Sequence, residues 1–197
     1  MLIYSIIIII PFTLSYFVNI NNNSVKLNVD YLWFNYLVFV LFIFGFRDKI
    51  GGDWNNYYSA FFQIGSNNLP KYDYGFNPSL INEESYNDSL VFYFLNFLIY
   101  KLSKSFVVFN LVCSLIYIYS INKFCSLFNN GRFIVFAFFI TYLGIVVHLG
   151  YIRQSLSISL LALALYFYIK EKNILSFLLL TISFFVHLSV FPFFYYI

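Results

Sequence analysis

The chain has 197 residues, of which 61% are hydrophobic, 25% are aromatic and only 10% are charged. An average soluble domain has about 25% charged residues, so this composition excludes that class and indicates an integral membrane protein. The net charge of +3 is spread over several loops and lacks the clustered Lys and Arg of a nucleic-acid-binding face. We therefore predict an all-α membrane protein that binds no nucleic acid.

Apolar runs divide the chain into candidate helices. A helix that crosses the ~30 Å hydrocarbon layer takes about 20 residues, and most of the runs approach this length. The run at 90–100 is shorter and suits a re-entrant or interfacial helix. The sequence thus predicts a single polytopic domain, residues 1–197, with about six spanning helices and one short helix. The runs cover residues 2–18, 31–46, 90–100, 106–121, 133–149, 152–169 and 174–197.

Basic residues in short loops indicate the orientation in the membrane. Lys170 and Lys172 close a tight turn, and Lys123 and Arg132 flank another turn two spans earlier. Both turns then lie on one side, which we predict to be cytoplasmic. Arg153 falls on the extracytoplasmic side of a multi-pass protein of the cell membrane.

The hydrophilic loop 47–88 lies on the same side of the membrane as Arg153 only if the run at 90–100 does not cross the membrane. If that run crosses, the loop is cytoplasmic and lies opposite Arg153. If it is re-entrant or interfacial, the loop is extracytoplasmic. We expect the second topology because the run is short, although it leaves Lys101 and Lys104 outside, against the positive-inside rule.

Arg153 and Gln154 begin an otherwise apolar run. An arginine at mid-bilayer costs roughly 2.5 to 3.5 kcal/mol, so Arg153 should lie at an interface or have a partner. The predicted hairpin 152–194 turns near residue 171, which puts Arg153 about 28 Å and His187 about 23 Å from the turn at 1.5 Å per residue. We therefore expect these two residues at similar depth. In the alternative interpretation neither residue binds a ligand. Arg153 then extends its charged group to the membrane interface, and His187 makes its hydrogen bonds within the protein.

Small residues on the same helix predict a close helix contact. Ser155, Ser159 and Ala162 form a stripe at i, i+4 and i+7, and Arg153 lies on a neighbouring face. His148 ends the preceding run near the same level. It is either a bystander or a third member of the Arg153 group.

A second polar group follows the run at 31–46. The glycine pair at 51–52 permits a sharp turn, after which Asp53 is suited to cap a helix. In one interpretation Arg47 is an interface anchor, Asp53 is a cap, and Trp54 and Tyr57 belong to an aromatic belt. In the other, Arg47 binds a phosphate, Asp53 is a base or a sugar ligand, and the two aromatic side chains hold a sugar ring.

The order of these motifs resembles the EpsG family of bacterial exopolysaccharide and O-antigen polymerases. The resemblance implies a glycosyltransferase that joins undecaprenyl-pyrophosphate-linked repeat units of an exopolysaccharide, capsule or O-antigen at the outer leaflet. Membrane lipid, a flippase and a chain-length regulator of the same pathway are then further partners. The matching residues are Arg47, the glycine pair at 51–52 with Asp53, Trp54 and Tyr57 or Tyr58, the Ile-Arg-Gln sequence at 152–154, and His187.

The resemblance also implies roles for these residues. We expect Arg47 and Arg153 to bind pyrophosphate, because the planar guanidinium pairs with two phosphate oxygens at once, and Gln154 to orient it. The acceptor hydroxyl needs a base, for which Asp53 and His187 are the candidates.

Two departures from the family pattern bear on activity. Members usually have one acidic residue shortly before the short helix, whereas Glu83, Glu84 and Asp88 compete for that place here. Members are also typically longer. We therefore expect a C-terminally truncated chain, which is an inactive fragment if part of its site is missing.

Neither a metal nor a cofactor is expected. Cys113 and Cys125 lie in one apolar run without a CxxC motif or a nearby His, which is typical of buried, unreactive thiols.

Two other functions remain as alternatives. A transporter or flippase for lipid-linked saccharides should have interrupted helices in two related halves, which the sequence does not show. A membrane-bound O-acyltransferase would use an intramembrane His, but it gives no reason for the motif at 51–57.

Overall fold

The computed structural model describes residues 2–20, 29–65 and 90–187, and all regular elements within these ranges are helical. This confirms the predicted all-α class. A 3-10 turn, Ser126–Gly131, connects the fifth helix to the sixth, which continues as a π-helix, Ile140–His148. The helices are α1 (Leu2–Ile20), α2 (Val29–Gly45), α3 (Trp54–Gly65), α4 (Leu90–Ser103), α5 (Phe106–Cys125), α6 (Arg132–Phe139), α7 (Ile152–Ile169) and α8 (Asn173–Val186).

Among residues 2–20, 29–65 and 90–187, two helical segments are long and apolar enough to cross a membrane. They are α5 with its following turn, 23 residues from Phe106 to Phe128, and α7, 18 residues from Ile152 to Ile169. The other apolar helical stretches counted in the described ranges, such as Tyr4–Tyr16 within α1, have 10–17 residues. The count of about six spans therefore stays a prediction.

Helices α7 and α8 form the predicted hairpin. The Ser157 hydroxyl donates to the Ser183 carbonyl at 2.9 Å, and the Ser183 hydroxyl donates to the Ser157 carbonyl at 2.7 Å. Nearer the turn, the Ser176 hydroxyl donates to the Ala164 carbonyl at 2.8 Å. These small side chains allow the two backbones to approach closely. The hairpin is described through His187, and its predicted extension to residue 194 lies outside the described residues.

Helices α2 and α6 pack against the second half of α5, and α1 packs against α2 and α6. The indole nitrogen of Trp33 donates to the side-chain oxygen of Asn122 at 2.9 Å, and the Tyr36 hydroxyl donates to the Ile7 carbonyl at 2.7 Å. Asp30 pairs with Arg132. Since Asp30 begins α2 and Arg132 begins α6, both helices start at the same end of the bundle.

Helix α4 packs against α3 and the start of α5 at the other end of the bundle. Phe92, near its start, contacts Tyr57 and Phe109 with ring centroids 5.8 Å apart in each case. Tyr100, near its end, contacts Phe61, which itself contacts Phe109. Whether α4 lies in the membrane interface stays a prediction.

Candidate functional site

The loop after α2 is fixed on the turn before α7. Arg47 is only 5% exposed, and its Nη1 donates to the carbonyl oxygens of His148 at 2.8 Å and Leu149 at 2.6 Å. Gly51 has a φ of +114°, and a Cβ at this position would overlap the Leu149 carbonyl oxygen. Glycine is therefore needed both for the backbone angle and for the close approach. The loop that carries Asp53 and the turn that precedes Arg153 thus meet at one end of the bundle, called the site end below.

The position of Arg47 follows from the ends of the helices around it. The π-helix stops at His148, and carbonyl groups at a helix end lack partners within the helix. A cation there also interacts favourably with the helix dipole. Burial lowers the pKa of Arg47 to about 10, so the guanidinium stays charged at neutral pH. Its Nε has no hydrogen-bond partner among the described residues.

His148 connects three helices at the site end. Its Nε2 lies 2.9 Å from the Ser114 hydroxyl of α5, and its Nδ1 lies 2.7 Å from the Ser155 hydroxyl in the first turn of α7. Its ring stacks on Tyr117 at 4.6 Å and packs on Phe44 at 5.2 Å. A neutral imidazole has one donor and one acceptor nitrogen, so one serine donates and the other accepts. Both ring nitrogens of His148 are therefore used within the protein.

Arg153 and His187 lie at one level of the hairpin. Partial burial and the charge of Arg153 lower the pKa of the His187 imidazole. The Ser157 hydroxyl, one turn after Arg153, reaches the His187 carbonyl at 3.3 Å. His187 follows the last residue of α8 with an extended backbone, φ −160° and ψ 130°. The helix arithmetic predicted this juxtaposition. Gln154 is half-buried next to Arg153.

Asp53, Trp54 and Tyr57 lie at the start of α3. The Asp53 carbonyl accepts a 3.0 Å hydrogen bond from the Tyr57 amide, which puts Asp53 at the N-cap position. Trp54 stacks on Tyr58 at 4.8 Å and meets the edge of Phe106 at 5.6 Å. The Trp54 indole nitrogen is buried and has no hydrogen-bond partner in the described part of the chain. Both aromatic side chains of the motif therefore pack against other rings, and only part of each is open to a ligand.

The predicted residues thus form two groups at the site end. One group is the loop and helix start with Arg47 and Asp53, and the other is the hairpin with Arg153, Gln154 and His187. The connection between them runs through the backbone of residues 148–151, which Arg47 holds from one side. Within the described ranges, no group of three or more His, Cys, Asp or Glu residues is placed to hold a metal ion.

Sequence reasoning missed two polar residues of α5. Ser114 is fully buried against His148, and Asn110, one turn earlier, is 1% exposed. Neither amide atom of Asn110 has a hydrogen-bond partner among the described residues. Their spacing of four residues inside an apolar run puts them on one face of the helix. This spacing is the feature of the sequence that could have predicted a shared polar face on α5.

Comparison with known proteins gives one family. No curated protein and no solved structure matches the chain. A model of the EpsG family matches residues 30–197, which include Arg47, Asp53 and the hairpin with Arg153 and His187. Because this match covers most of the sequence, the chain belongs to the EpsG family.

Proposed function

We propose that this chain is a polysaccharide polymerase that joins lipid-linked repeat units at the outer leaflet of the cell membrane. Membership of the EpsG family associates it with membrane proteins of polysaccharide synthesis. The contact of Arg47 with the carbonyls of His148 and Leu149 is the observation that carries the proposal. It means that Arg47 and Arg153 belong to the same end of the bundle, as a shared pyrophosphate site requires.

The reaction transfers a growing glycan from undecaprenyl pyrophosphate to the non-reducing end of another lipid-linked repeat unit. The acceptor oxygen bonds to the anomeric carbon, the bond from that carbon to the pyrophosphate oxygen breaks, and the hydroxyl proton passes to a base. The pyrophosphate leaves with the bonding electrons. Negative charge therefore builds on the leaving group, and fixed cations nearby lower the barrier.

The arginines are suited to hold this leaving group. Arg153 is half-buried at the start of α7, and its guanidinium can pair with two phosphate oxygens at once. Gln154 beside it would orient the phosphate through its amide. Arg47 uses Nη1 for the protein backbone, and its Nε is buried. Its guanidinium would therefore act on the pyrophosphate through its positive charge.

Two groups are candidates for the base. His187 lies at the level of Arg153 in the hairpin, which would bring a proton acceptor close to the departing pyrophosphate. Asp53 lies on the loop that Arg47 anchors, where a carboxylate would meet the acceptor sugar. Trp54 and Tyr57, directly after Asp53, would hold a sugar ring by contact with the parts of their side chains that are open.

Complementation of a bacterium that lacks its own polymerase tests the proposal. We expect Arg153→Ala to abolish long polymer and Arg153→Lys to shorten it strongly, because lysine keeps the charge but loses the paired contact. Lys172→Gln, which removes a cation in the turn between α7 and α8, should leave polymer length unchanged. Normal polymer from both Arg153 variants at normal protein level would refute the assignment.

The orientation needs a separate test. Single cysteines at Asn55 and Tyr151, in a background without Cys113 and Cys125, should react with an impermeant maleimide added to intact cells. A cysteine at Lys172 should react only after the cells are opened. The reverse pattern would put the site on the cytoplasmic side and exclude an outer-leaflet reaction.

A further inference from the structure

We propose that His148 is a positioning residue that fixes the place of Arg153. Its effect on catalysis rests on the proposed function, whereas its effect on the position of Arg153 does not. Ser155, which His148 binds at 2.7 Å, is two residues after Arg153 in the first turn of α7. The hydrogen bond therefore acts directly on the turn that carries the guanidinium.

The imidazole is itself held from the other side. Its Nε2 contacts the hydroxyl of Ser114 at 2.9 Å, and Ser114 lies in the middle of α5. The ring is 1% exposed and lies against Tyr117 and Phe44. A side chain held by two hydrogen bonds and two rings has one orientation, so it can transmit the position of α5 to the start of α7.

The backbone next to His148 also fixes the start of α7. Its carbonyl and that of Leu149 accept hydrogen bonds from Arg47. The Tyr151 amide donates to the Val147 carbonyl at 2.7 Å, which makes the connection to α7 short and closed. The first turn of α7 is thus fixed by the backbone before it and by Ser155 within it.

The choice of side chains agrees with a positioning role. His148 uses both ring nitrogens on serines and is buried from the surface of the site end, so a substrate cannot reach them without breaking these bonds. His187, in contrast, is half-buried beside Arg153. The two histidines of the chain therefore have different tasks, with His148 acting through Arg153.

The test measures the position of residue 153 without using enzymatic activity. Arg153→Cys in a background without Cys113 and Cys125 is purified in lipid nanodiscs, and its rate of reaction with a maleimide is measured. We expect His148→Phe, which keeps an aromatic ring but loses both hydrogen bonds, to change this rate roughly threefold to tenfold, the ratio that corresponds to one or two interhelical hydrogen bonds in a membrane. His148→Gln, which keeps a donor and an acceptor, should restore most of the wild-type rate.

Controls separate positioning from general loosening. A cysteine at Lys170, at the other end of α7, should react at the same rate in all variants. Ser155→Ala and Ser114→Ala each remove one hydroxyl that contacts His148. If His148→Phe does not fold, the rate at residue 153 is measured in these two variants instead. An unchanged rate at residue 153 in folded variants, or an equal change at residue 170, would overturn the proposal.

Loss of polymer by His148→Phe with rescue by His148→Gln would extend it to the reaction. An altered rate at residue 153 together with wild-type polymer would keep the positioning role and contradict its effect on the reaction, whereas a wild-type chain that makes no polymer would contradict only the proposed function.

Discussion

The guanidinium of Arg47 lies 2.6 Å from the carbonyl oxygen of Leu149, 102 residues later in the chain. This hydrogen bond joins the end of α2 to the turn before α7. It ties a charged side chain, which would be costly in hydrocarbon, to carbonyl groups that the π-helix leaves without partners. The two motifs that sequence analysis found separately therefore belong to one structural unit.

The glycine pair at 51–52 offers a matched test of this unit. We expect Gly51→Ala to lower the free energy of unfolding by about 1 to 3 kcal/mol, because alanine is strained at a φ of +114° and its Cβ would overlap the Leu149 carbonyl. Gly52→Ala meets no atom within 4 Å and should change stability by less than about 0.5 kcal/mol. Thermal unfolding of the purified protein in detergent measures both. Equal effects of the two substitutions would contradict the close contact.

The reciprocal hydrogen bonds of Ser157 and Ser183 should be coupled. Interhelical hydrogen bonds in membranes contribute about 0.6 kcal/mol on average and about 1.7 kcal/mol at most. We expect Ser157→Ala and Ser183→Ala each to destabilise the protein within this range, and the double variant to cost less than their sum, because the first substitution already breaks bonds shared with the second. Thr181→Val is the control, since its hydroxyl bonds only within α8. Additive effects would argue against the observed pairing.

The identity of the base can be decided with two single substitutions. We expect loss of polymer from either Asp53→Asn or His187→Ala, with normal protein level in the membrane. Each change removes a proton acceptor from the site end without placing a charge there. Asp48→Asn is the control for the loop, because Asp48 is exposed five residues before Asp53. Unchanged polymer length in both test variants would exclude both residues as the base.

The helices and the hairpin followed from sequence because each depends on local pattern. The apolar runs gave all the described helices except α3, which was expected only from Asp53 as a helix cap. Counting residues from the turn near 171 gave the matched depth of Arg153 and His187. The role of His148 did not follow, because it depends on the azimuths of α5 and α7 around the bundle. Apolar periodicity carries little information about azimuth when lipid and protein interior are both apolar.

Asn110 gives a prediction about stability that does not depend on the proposed function. Its amide is buried with neither atom hydrogen-bonded among the described residues, and such a group costs about 1 to 3 kcal/mol. Leucine branches at the same carbon and has no polar atoms. We therefore expect Asn110→Leu to raise the free energy of unfolding by about 1 kcal/mol or more, measured by thermal unfolding in detergent. Asn35→Leu, at an exposed position of α2 where the amide bonds the Tyr31 carbonyl, should give no such gain. A clear loss of stability in Asn110→Leu would show that the amide has a partner in the folded protein. Higher stability combined with shortened polymer would instead mean that its partner is the substrate, one turn along α5 from the serine that holds His148.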